Sequence, residues 1–398
     1  MSTNRSKTAL ILSGGGARGA YQVGVLKAIA QLQPRGGHNP FGIVCGTSAG
    51  AINASVLACE SDHYGHAINK LEKLWSNLDS RKIHRVGFNQ LMKSTLRILA
   101  SFFHQGIVEG KPVALLDNEP LRQLLEEQID FSKLDQRIQN GDVMALSITA
   151  LAYHSGVNVS FFQASKQLEG WRRNQRSGQP TLLNHNHLMA SSALPAIFPP
   201  VQIQGRYFGD GAIRQSAPLS TALHLGANRL FVVGVSHNPT EDGTKEQNDN
   251  NASRQAALAT PSFAQIAGHL FNSSFIDAMD EDLERLERLN LLSQHLSEEA
   301  LKTVQIQPVE VMTITPSIRI DEIAANHISD LPLSMRTFFK SIGATRTGGG
   351  ASMASYLLFE SGFCNELIRA GYQDTMARET EIVAFLDFNT QNTPNLST

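Results

Sequence analysis

The first 60 residues contain the same succession twice: a short apolar strand, a glycine-containing turn and a helix. Residues 8–13 form an apolar run that predicts a buried strand, and the glycine-rich residues 14–19 follow it before apolar residues recur at helical spacing. Residues 41–45 predict a second strand, which the turn at residues 46–50 joins to a helix of small residues at 51–59. Two consecutive strand–turn–helix units predict an α/β fold with a mainly parallel central sheet flanked by helices.

The rest of the chain continues the alternation of strands and helices. Further strands are predicted at residues 144–150, 160–163, 201–208, 229–235 and 310–315. Helices are predicted within residues 65–105, 117–128, 190–193, 263–296 and 357–372. We expect a catalytic domain at residues 8–225, and a C-terminal extension at 226–388 whose strands complete the core and which adds helices. A flexible polar loop is expected at 237–254, and a polar tail at 389–398.

The composition excludes several classes of protein. The net charge of −2 over 398 residues does not suit a protein that binds nucleic acid over its whole surface. The three cysteines (Cys45, Cys59 and Cys364) have no regular spacing that predicts a disulfide framework or a zinc site, and they fit a reducing compartment. Because no run of about 18 apolar residues occurs, we expect a soluble cytoplasmic protein. Any membrane contact is then expected to be peripheral, at the inner face.

Residues 46–50 form a G-x-S-x-G pattern between an apolar strand and a helix. That is the setting of a nucleophile elbow, in which flanking glycines (Gly46 and Gly50) permit a tight, strained turn. Ser48 then lies at a helix N-terminus, whose N–H groups and dipole favour a developing negative charge. Ser48 is therefore the candidate nucleophile.

The glycine loop at residues 14–19 has two interpretations. Its G-x-G-x-x-G spacing matches a dinucleotide fingerprint, which also needs an acidic residue near the end of the second strand to bind the ribose. No Asp or Glu occurs between Gly14 and Glu60, which argues against a dinucleotide. The other interpretation is an oxyanion hole, in which the N–H groups of Gly15 and Gly16 face a carbonyl oxygen above Ser48 and Arg18 adds positive charge nearby.

Asp210 follows a predicted strand end and precedes Gly211 and Ala212. An Asp-Gly pair is commonly only a turn, but a serine nucleophile needs a base within hydrogen-bond reach. In a parallel sheet both turns would lie at one edge, which makes Asp210 the candidate base. A histidine is the alternative, because one hydrolase class has the order Ser, Asp, His. Five histidines follow Asp210, none with a distinctive neighbourhood: His224, His237, His269, His295 and His327.

The three motifs together resemble the patatin-like phospholipase family. Its pattern is G-G-G-x-R-G, then G-x-S-x-G, then D-G-[AG], and this chain has them in that order at residues 14–19, 46–50 and 210–212. Residues 190–195 with 198–200 are similar to the segment that precedes the family's Asp. The resemblance is strong over about residues 8–225, and the rest looks like the longer bacterial-type members of that family.

The resemblance implies a patatin-like three-layer fold and a Ser–Asp dyad, with Ser48 attacking an ester and Asp210 accepting its proton. The implied reaction is that of a phospholipase A, lysophospholipase or acylglycerol lipase, with a lipid substrate and with no metal, cofactor or nucleic acid. The residues assigned to the oxyanion hole are Gly14, Gly15, Gly16, Ala17, Arg18, Gly19 and Ala49. Those that support the motifs are Gly46, Gly50, Gly211 and Ala212.

Overall fold

A computed structural model gives the fold of the chain. The structure describes residues 7–34, 36–84, 114–165, 168–214, 218–237, 278–304, 307–341 and 351–388. Most of the loop predicted at 237–254, the first part of the helix predicted at 263–296 and the polar tail at 389–398 lie outside these residues.

Ten strands form one sheet within the described residues. They are β1 (Thr8–Leu12), β2 (Ile43–Thr47), β3 (Ala145–Ala152), β4 (Val157–Ala164), β5 (Trp171–Arg172), β6 (Arg176–Pro180), β7 (Val201–Ile203), β8 (Arg206–Asp210), β9 (Arg229–Val233) and β10 (Glu310–Ile314). The spatial order is β10-β9-β1-β2-β3-β4-β6-β5, and the hairpin of β7 and β8 joins the sheet through β3.

The central part of the sheet is parallel. Strands β10, β9, β1, β2 and β3 pair side by side in one direction. Beyond β3 the sheet is mixed, because β4 and β8 both pair with β3 in the antiparallel direction. The α/β fold class predicted from the sequence is therefore confirmed.

Helices cover both faces of this sheet. Up to the end of β9 they are α1 (Ala20–Leu32), α2 (Ala49–Cys59), α3 (Tyr64–Ser76), α4 (Ser80–Ile83), α5 (Glu119–Gln128), α6 (Ser132–Gln139), α7 (His185–Ser191) and α8 (Leu219–His224). After β9 they are α9 (Ala278–Ser293), α10 (Glu298–Val304), α11 (Ile320–His327), α12 (Leu333–Ser341), α13 (Ala351–Leu357), α14 (Ser361–Met376) and α15 (Glu379–Phe385). None of the helices in the described part of the chain is long and apolar enough to cross a bilayer.

Strand β1 shows how the three layers arise. Side chains alternate between the two faces of a strand, so Leu10 and Leu12 enter one core cluster, together with residues of α1, α2, α3, α5 and α14. Ala9 and Ile11 enter the opposite cluster, with residues of α8 and α9. All five residues of the strand are buried because both faces are covered.

The single strand predicted at residues 201–208 is wrong. The segment is a hairpin of β7 and β8, and Gln204 and Gly205 form its turn with φ angles of 49° and 78°. Two consecutive positive φ angles are the requirement of a two-residue type I′ turn, which matches the twist of the strands it joins. The turn reverses the chain, so that β8 returns antiparallel to β3.

The single helix predicted at residues 357–372 is also wrong, because the structure has two helices there. The segment contains the end of α13 and most of α14, separated by residues 358–360, and Glu360 at the break has extended backbone angles. The helix predicted within 65–105 is present as α3 and α4 up to Ile83, and its continuation from residue 85 lies outside the described residues. Helix α9 packs in the core through Met279 and Leu286.

Residues after 225 pack closely on the first part of the chain. Strand β9 pairs with β1 along its whole length, and α14 lies against α1. Two glycines permit the close approach of these helices: a Cβ on Gly371 would lie 2.1 Å from the Tyr21 carbonyl oxygen, and one on Gly24 would lie 2.0 Å from that of Ile368. The C-terminal extension is thus part of the same core.

We expect Gly371→Ala to destabilise the protein by about 1–3 kcal/mol, because the added methyl overlaps backbone atoms that cannot move independently. The melting temperature should fall by several degrees. Gly65→Ala is the matched control, since Gly65 lies in α3 with no atom within 4 Å of a built Cβ, and alanine favours the helix. Equal melting temperatures for the two variants would contradict the tight α1–α14 contact.

Candidate active site

Ser48 lies in a strained turn between β2 and α2. Its φ and ψ angles are 55° and −124°, outside the regions that residues with a side chain commonly adopt. The turn is held by Ser191: the Ser48 N–H donates to the Ser191 hydroxyl at 2.8 Å, and that hydroxyl donates to the Thr149 carbonyl at 2.6 Å. A nucleophile elbow, as predicted, is the local geometry.

Both motif glycines next to Ser48 are required by close backbone contacts. A Cβ on Gly46 would lie 2.4 Å from the Gly50 carbonyl oxygen, and a Cβ on Gly50 would lie 2.2 Å from that of Leu12. Contacts this short with backbone cannot be relieved by moving a side chain. The G-x-S-x-G spacing therefore packs α2 directly against the ends of β1 and β2.

The hairpin places Asp210 beside Ser48. Thr47, at the end of β2, is paired with Thr149 of β3, and the next residue along β3, Ala150, is paired with Asp210. The Ser48 hydroxyl donates to Asp210 Oδ2 at 2.6 Å. The two turns meet as the sequence predicts, although Asp210 arrives on an antiparallel strand rather than at the end of a parallel one.

The carboxyl group of Asp210 is fully buried, and burial raises its pKa to about 7 because the charged form loses its hydration. Two donors oppose that effect, the Ser48 hydroxyl and the Ala212 N–H, which donates to Oδ1 at 2.8 Å. Gly211 permits the turn, since a Cβ there would lie 2.6 Å from the Thr149 carbonyl oxygen. A carboxyl group with this pKa can both accept and return a proton near neutral pH.

The glycine loop closes the cavity above Ser48. Gly14 and Gly15 follow β1, and Gly16–Gly19, which includes Ala17, forms a 3-10 turn that runs into α1. Gly16 has a φ of 56°, and a Cβ on it would lie 2.1 Å from the Tyr356 carbonyl oxygen. Gly16, Ser48 and Ala49 line one cavity, which is the arrangement expected of an oxyanion hole formed by this loop and the residue after the nucleophile.

The Arg18 side chain lies against the C-terminal extension and not in the cavity. It is absent from the residues that line the cavity, and its side chain is buried against the C-terminal extension. The guanidinium donates to Ser355 and Asp321 at 2.8 Å each and lies 4.1 Å from the centre of the Tyr356 ring. Because its charge is paired with Asp321, Arg18 joins the glycine loop to the extension.

The cavity beside Ser48 is apolar and narrow. Its walls come from α2 to α5, the glycine loop, the segment after α7 and the segment after α13. The lining residues are Gly16, Ser48, Ala49, Ile52, Leu74, Trp75, Leu78, Ile83, Leu121, Leu124, Leu125, Ser192, Leu194, Phe198 and Phe359. Its volume of about 40 Å³ admits a few atoms, so an acyl chain must displace these side chains to enter. Such a wall suits a hydrocarbon chain, because burial of apolar surface drives its binding.

The comparison with known proteins identifies the family. The patatin-like phospholipase model matches residues 10–223, which is more than half of the chain. The chain belongs to the patatin-like phospholipase family. The matched region contains the glycine loop, Ser48 and Asp210, so the resemblance seen in the motifs is confirmed.

Individual relatives of this patatin-like chain are distant. The uncharacterized protein YjjU of Escherichia coli K12 is 26% identical over 230 residues, which are 57% of this chain and 51% of YjjU. VipD of Legionella pneumophila matches with 16% identity and a TM-score of 0.32 over 88% of this chain and 66% of VipD. Human GIVD cytosolic phospholipase A2, solved with methyl gamma-linolenyl fluorophosphonate, matches with 12% identity and a TM-score of 0.39 over 97% and 60%. The chain thus spans about half to two thirds of the relatives it matches.

No hydrogen bond between described residues joins a histidine to Ser48 or Asp210. His224 stacks on Trp171 and bonds the Ser220 carbonyl, and His237 bonds the Pro316 carbonyl. His327 lies between Asp330 and Glu366, which raise its pKa against the opposing effect of burial. His269 lies outside the described residues.

Ser191, which accepts the Ser48 N–H, could not be predicted from the sequence. Residues 190–195 resemble a family segment, but a serine in a short helix gives no local sign that it will bond a turn 143 residues away. Ser192, the next residue, lines the cavity, and among the described residues its hydroxyl has no hydrogen-bond partner.

We expect the reactivity of Ser48 to follow the ionisation of Asp210. The rate of covalent labelling by a fluorophosphonate should level off above about pH 7 and fall by about tenfold for each unit below it, because a protonated carboxyl group cannot accept the serine proton. The measurement is the labelling rate between pH 5 and 9, with mass spectrometry to confirm the labelled serine. A midpoint near pH 4, where an exposed aspartate titrates, would contradict the role of burial.

Proposed function

We propose that the protein is a serine hydrolase of lipid acyl esters, with Ser48 as nucleophile and Asp210 as the base. The observation that supports this most directly is the hydrogen bond of 2.6 Å between their side chains at the end of an apolar cavity. Family membership gives independent support, because the matched residues 10–223 contain both.

In the proposed reaction, Ser48 Oγ forms a bond to the ester carbonyl carbon while its proton passes to Asp210 Oδ2. The carbonyl oxygen becomes an oxyanion, and backbone N–H groups of the glycine loop and of Ala49 stabilise it at the N-terminus of α2. Collapse of this intermediate breaks the bond to the alcohol, which leaves with the proton from Asp210. Asp210 then accepts a proton from water, whose oxygen adds to the acyl carbon bound to Ser48 Oγ. Collapse of this second intermediate breaks the bond to Oγ, which takes the proton back from Asp210, and the fatty acid leaves.

The proposed substrates are glycerophospholipids, lysophospholipids or acylglycerols, since each has an ester next to a long acyl chain. The cavity walls are leucine, isoleucine and phenylalanine side chains from α2 to α5 and from the segment after α7. Each buried methylene of an acyl chain contributes about 0.8 kcal/mol. Long-chain esters should therefore be preferred to short ones, and the apolar channel makes acyl-chain length the first determinant of selectivity.

Asp210→Asn should reduce ester hydrolysis almost as far as Ser48→Ala does, because the amide has nearly the shape of the carboxylate and cannot accept the proton. A triad would respond differently, since its histidine would still act as base. The measurement is kcat/KM of both variants on one p-nitrophenyl ester, with His224→Gln as a control that should remain active. If Asp210→Asn keeps more than about a tenth of the parental rate, less than about 1.4 kcal/mol of the barrier depends on it, and it is not the base.

The same substitution should stabilise the fold at pH 8. The pKa of Asp210 is about 7 in the folded protein and near 3.8 when unfolded. Ionisation of the buried group therefore lowers stability progressively as pH rises from about 4 to 7. Asp210→Asn removes that cost, so its melting temperature should exceed the parental value at pH 8 and equal it near pH 4. The upper limit of the gain is about 4 kcal/mol. A lower melting temperature at pH 8 would show that the carboxylate is stabilised by its neighbours.

A further inference from the structure

A groove lies on the surface between α3, α4 and α5, beside the apolar cavity. Its volume is about 650 Å³, within the usual size of a ligand site. The residues that line it are His66, Asn69, Lys70, Lys73, Leu74, Asn77, Leu78, Lys82, Leu124 and Gln128. We call it the basic groove, because three of these residues are lysines and none of the described residues lining it is acidic.

The three lysines of the basic groove differ in their contacts with carboxylates. Glu60 is the acidic group that Lys70 contacts, at 2.8 Å, but the same carboxylate also receives Lys133 at 3.1 Å. Lys73 is exposed in the last turn of α3, and Lys82 is exposed with its ammonium 2.8 Å from the Asn77 carbonyl.

Asp79, next to α4, is paired with Arg81. Lys73 and Lys82 therefore form no ion pair with a carboxylate of the described residues.

Helix α9, in the opposite layer of the molecule, carries five acidic and two basic residues. On α9 the basic residues are paired one turn along the helix, Arg285 with Glu281 and Arg288 with Glu284. This helix packs in the core cluster on the other face of the sheet from α3 and α5. The lysines of the basic groove thus lie on the face of the sheet opposite an acidic helix.

The basic groove lies next to the cavity that ends at Ser48. Leu74, Leu78 and Leu124 line both of them. An acyl chain that passes these leucines moves from a positively charged rim into an apolar channel. The order of the two environments, charged outside and apolar inside, matches that of a lipid at the surface of an anionic bilayer.

We propose that the basic groove docks the protein on the surface of an anionic lipid bilayer and that acyl chains enter past the three shared leucines. The second half of this inference rests on the proposed hydrolase function, and the first half does not. Each lysine near such a surface contributes about 1 kcal/mol, or about fivefold in affinity, and the effect declines with salt. Docking by this face would bring the lipid to the channel rather than to a random side of the molecule.

The test is vesicle co-sedimentation of the Ser48→Ala protein, in which no lipid is consumed. Vesicles of phosphatidylcholine alone are compared with vesicles that also contain phosphatidylglycerol. We expect binding to the anionic vesicles that weakens with salt, and a loss of about 25-fold in the Lys73→Gln/Lys82→Gln double variant. Arg285→Gln/Arg288→Gln removes the same number of positive charges from the opposite layer and should change binding by less than twofold.

Three results would overturn the docking proposal: equal binding to both kinds of vesicle, no binding to either, or equal losses in the two double variants. A parallel measurement separates it from the function. With Ser48 intact, the lysine variant should hydrolyse a short p-nitrophenyl ester at the parental rate and vesicle phosphatidylglycerol more slowly. A parent protein that binds anionic vesicles but hydrolyses neither ester would refute the hydrolase and leave the docking surface standing.

Discussion

The carboxyl group of Asp210 is buried, and none of the described residues that hydrogen-bond it is a cation. The site depends on the balance of two opposing effects on its ionisation. Removal from water favours its neutral form, whereas the Ser48 hydroxyl and the Ala212 N–H favour the charged form. Burial is the larger effect and raises the pKa to about 7, so the protonated and charged forms have nearly equal free energies at neutral pH. A cation beside it would fix the charge and remove its capacity to accept and return a proton.

The sequence predicted those parts of the fold and site whose cause is local. Apolar runs next to glycine turns predicted β1, β2 and the elbow at Ser48, because close backbone contacts at Gly46 and Gly50 leave no other residue suitable. Contacts between distant residues could not be predicted in this way. Ser191 bonds Ser48 across 143 residues and Arg18 bonds Asp321 across 303. The β7–β8 turn is an intermediate case, since its Gln-Gly pair is a weaker signal than Asn-Gly.

Arg18 shows how the motif and the extension depend on one another. Its side chain belongs to the glycine loop in sequence and to the C-terminal extension in contacts, through Asp321, Ser355 and Tyr356. The Tyr356 carbonyl also lies against Gly16, where only glycine leaves enough room. The shape of the glycine loop therefore depends on residues near both ends of the chain. The division into a catalytic domain at 8–225 and an extension stays a prediction, and residues of both parts pack together around the loop.

The pairing of β9 with β1 has a consequence for any shortened gene product. The family match ends at residue 223, six residues before β9 begins at Arg229. A chain that stopped there would leave one side of β1 without hydrogen-bond partners, and β1 is five buried residues with the sequence TALIL. An open apolar edge of this kind adds strands from other molecules and promotes aggregation. A chain truncated after residue 223 would therefore be expected to aggregate.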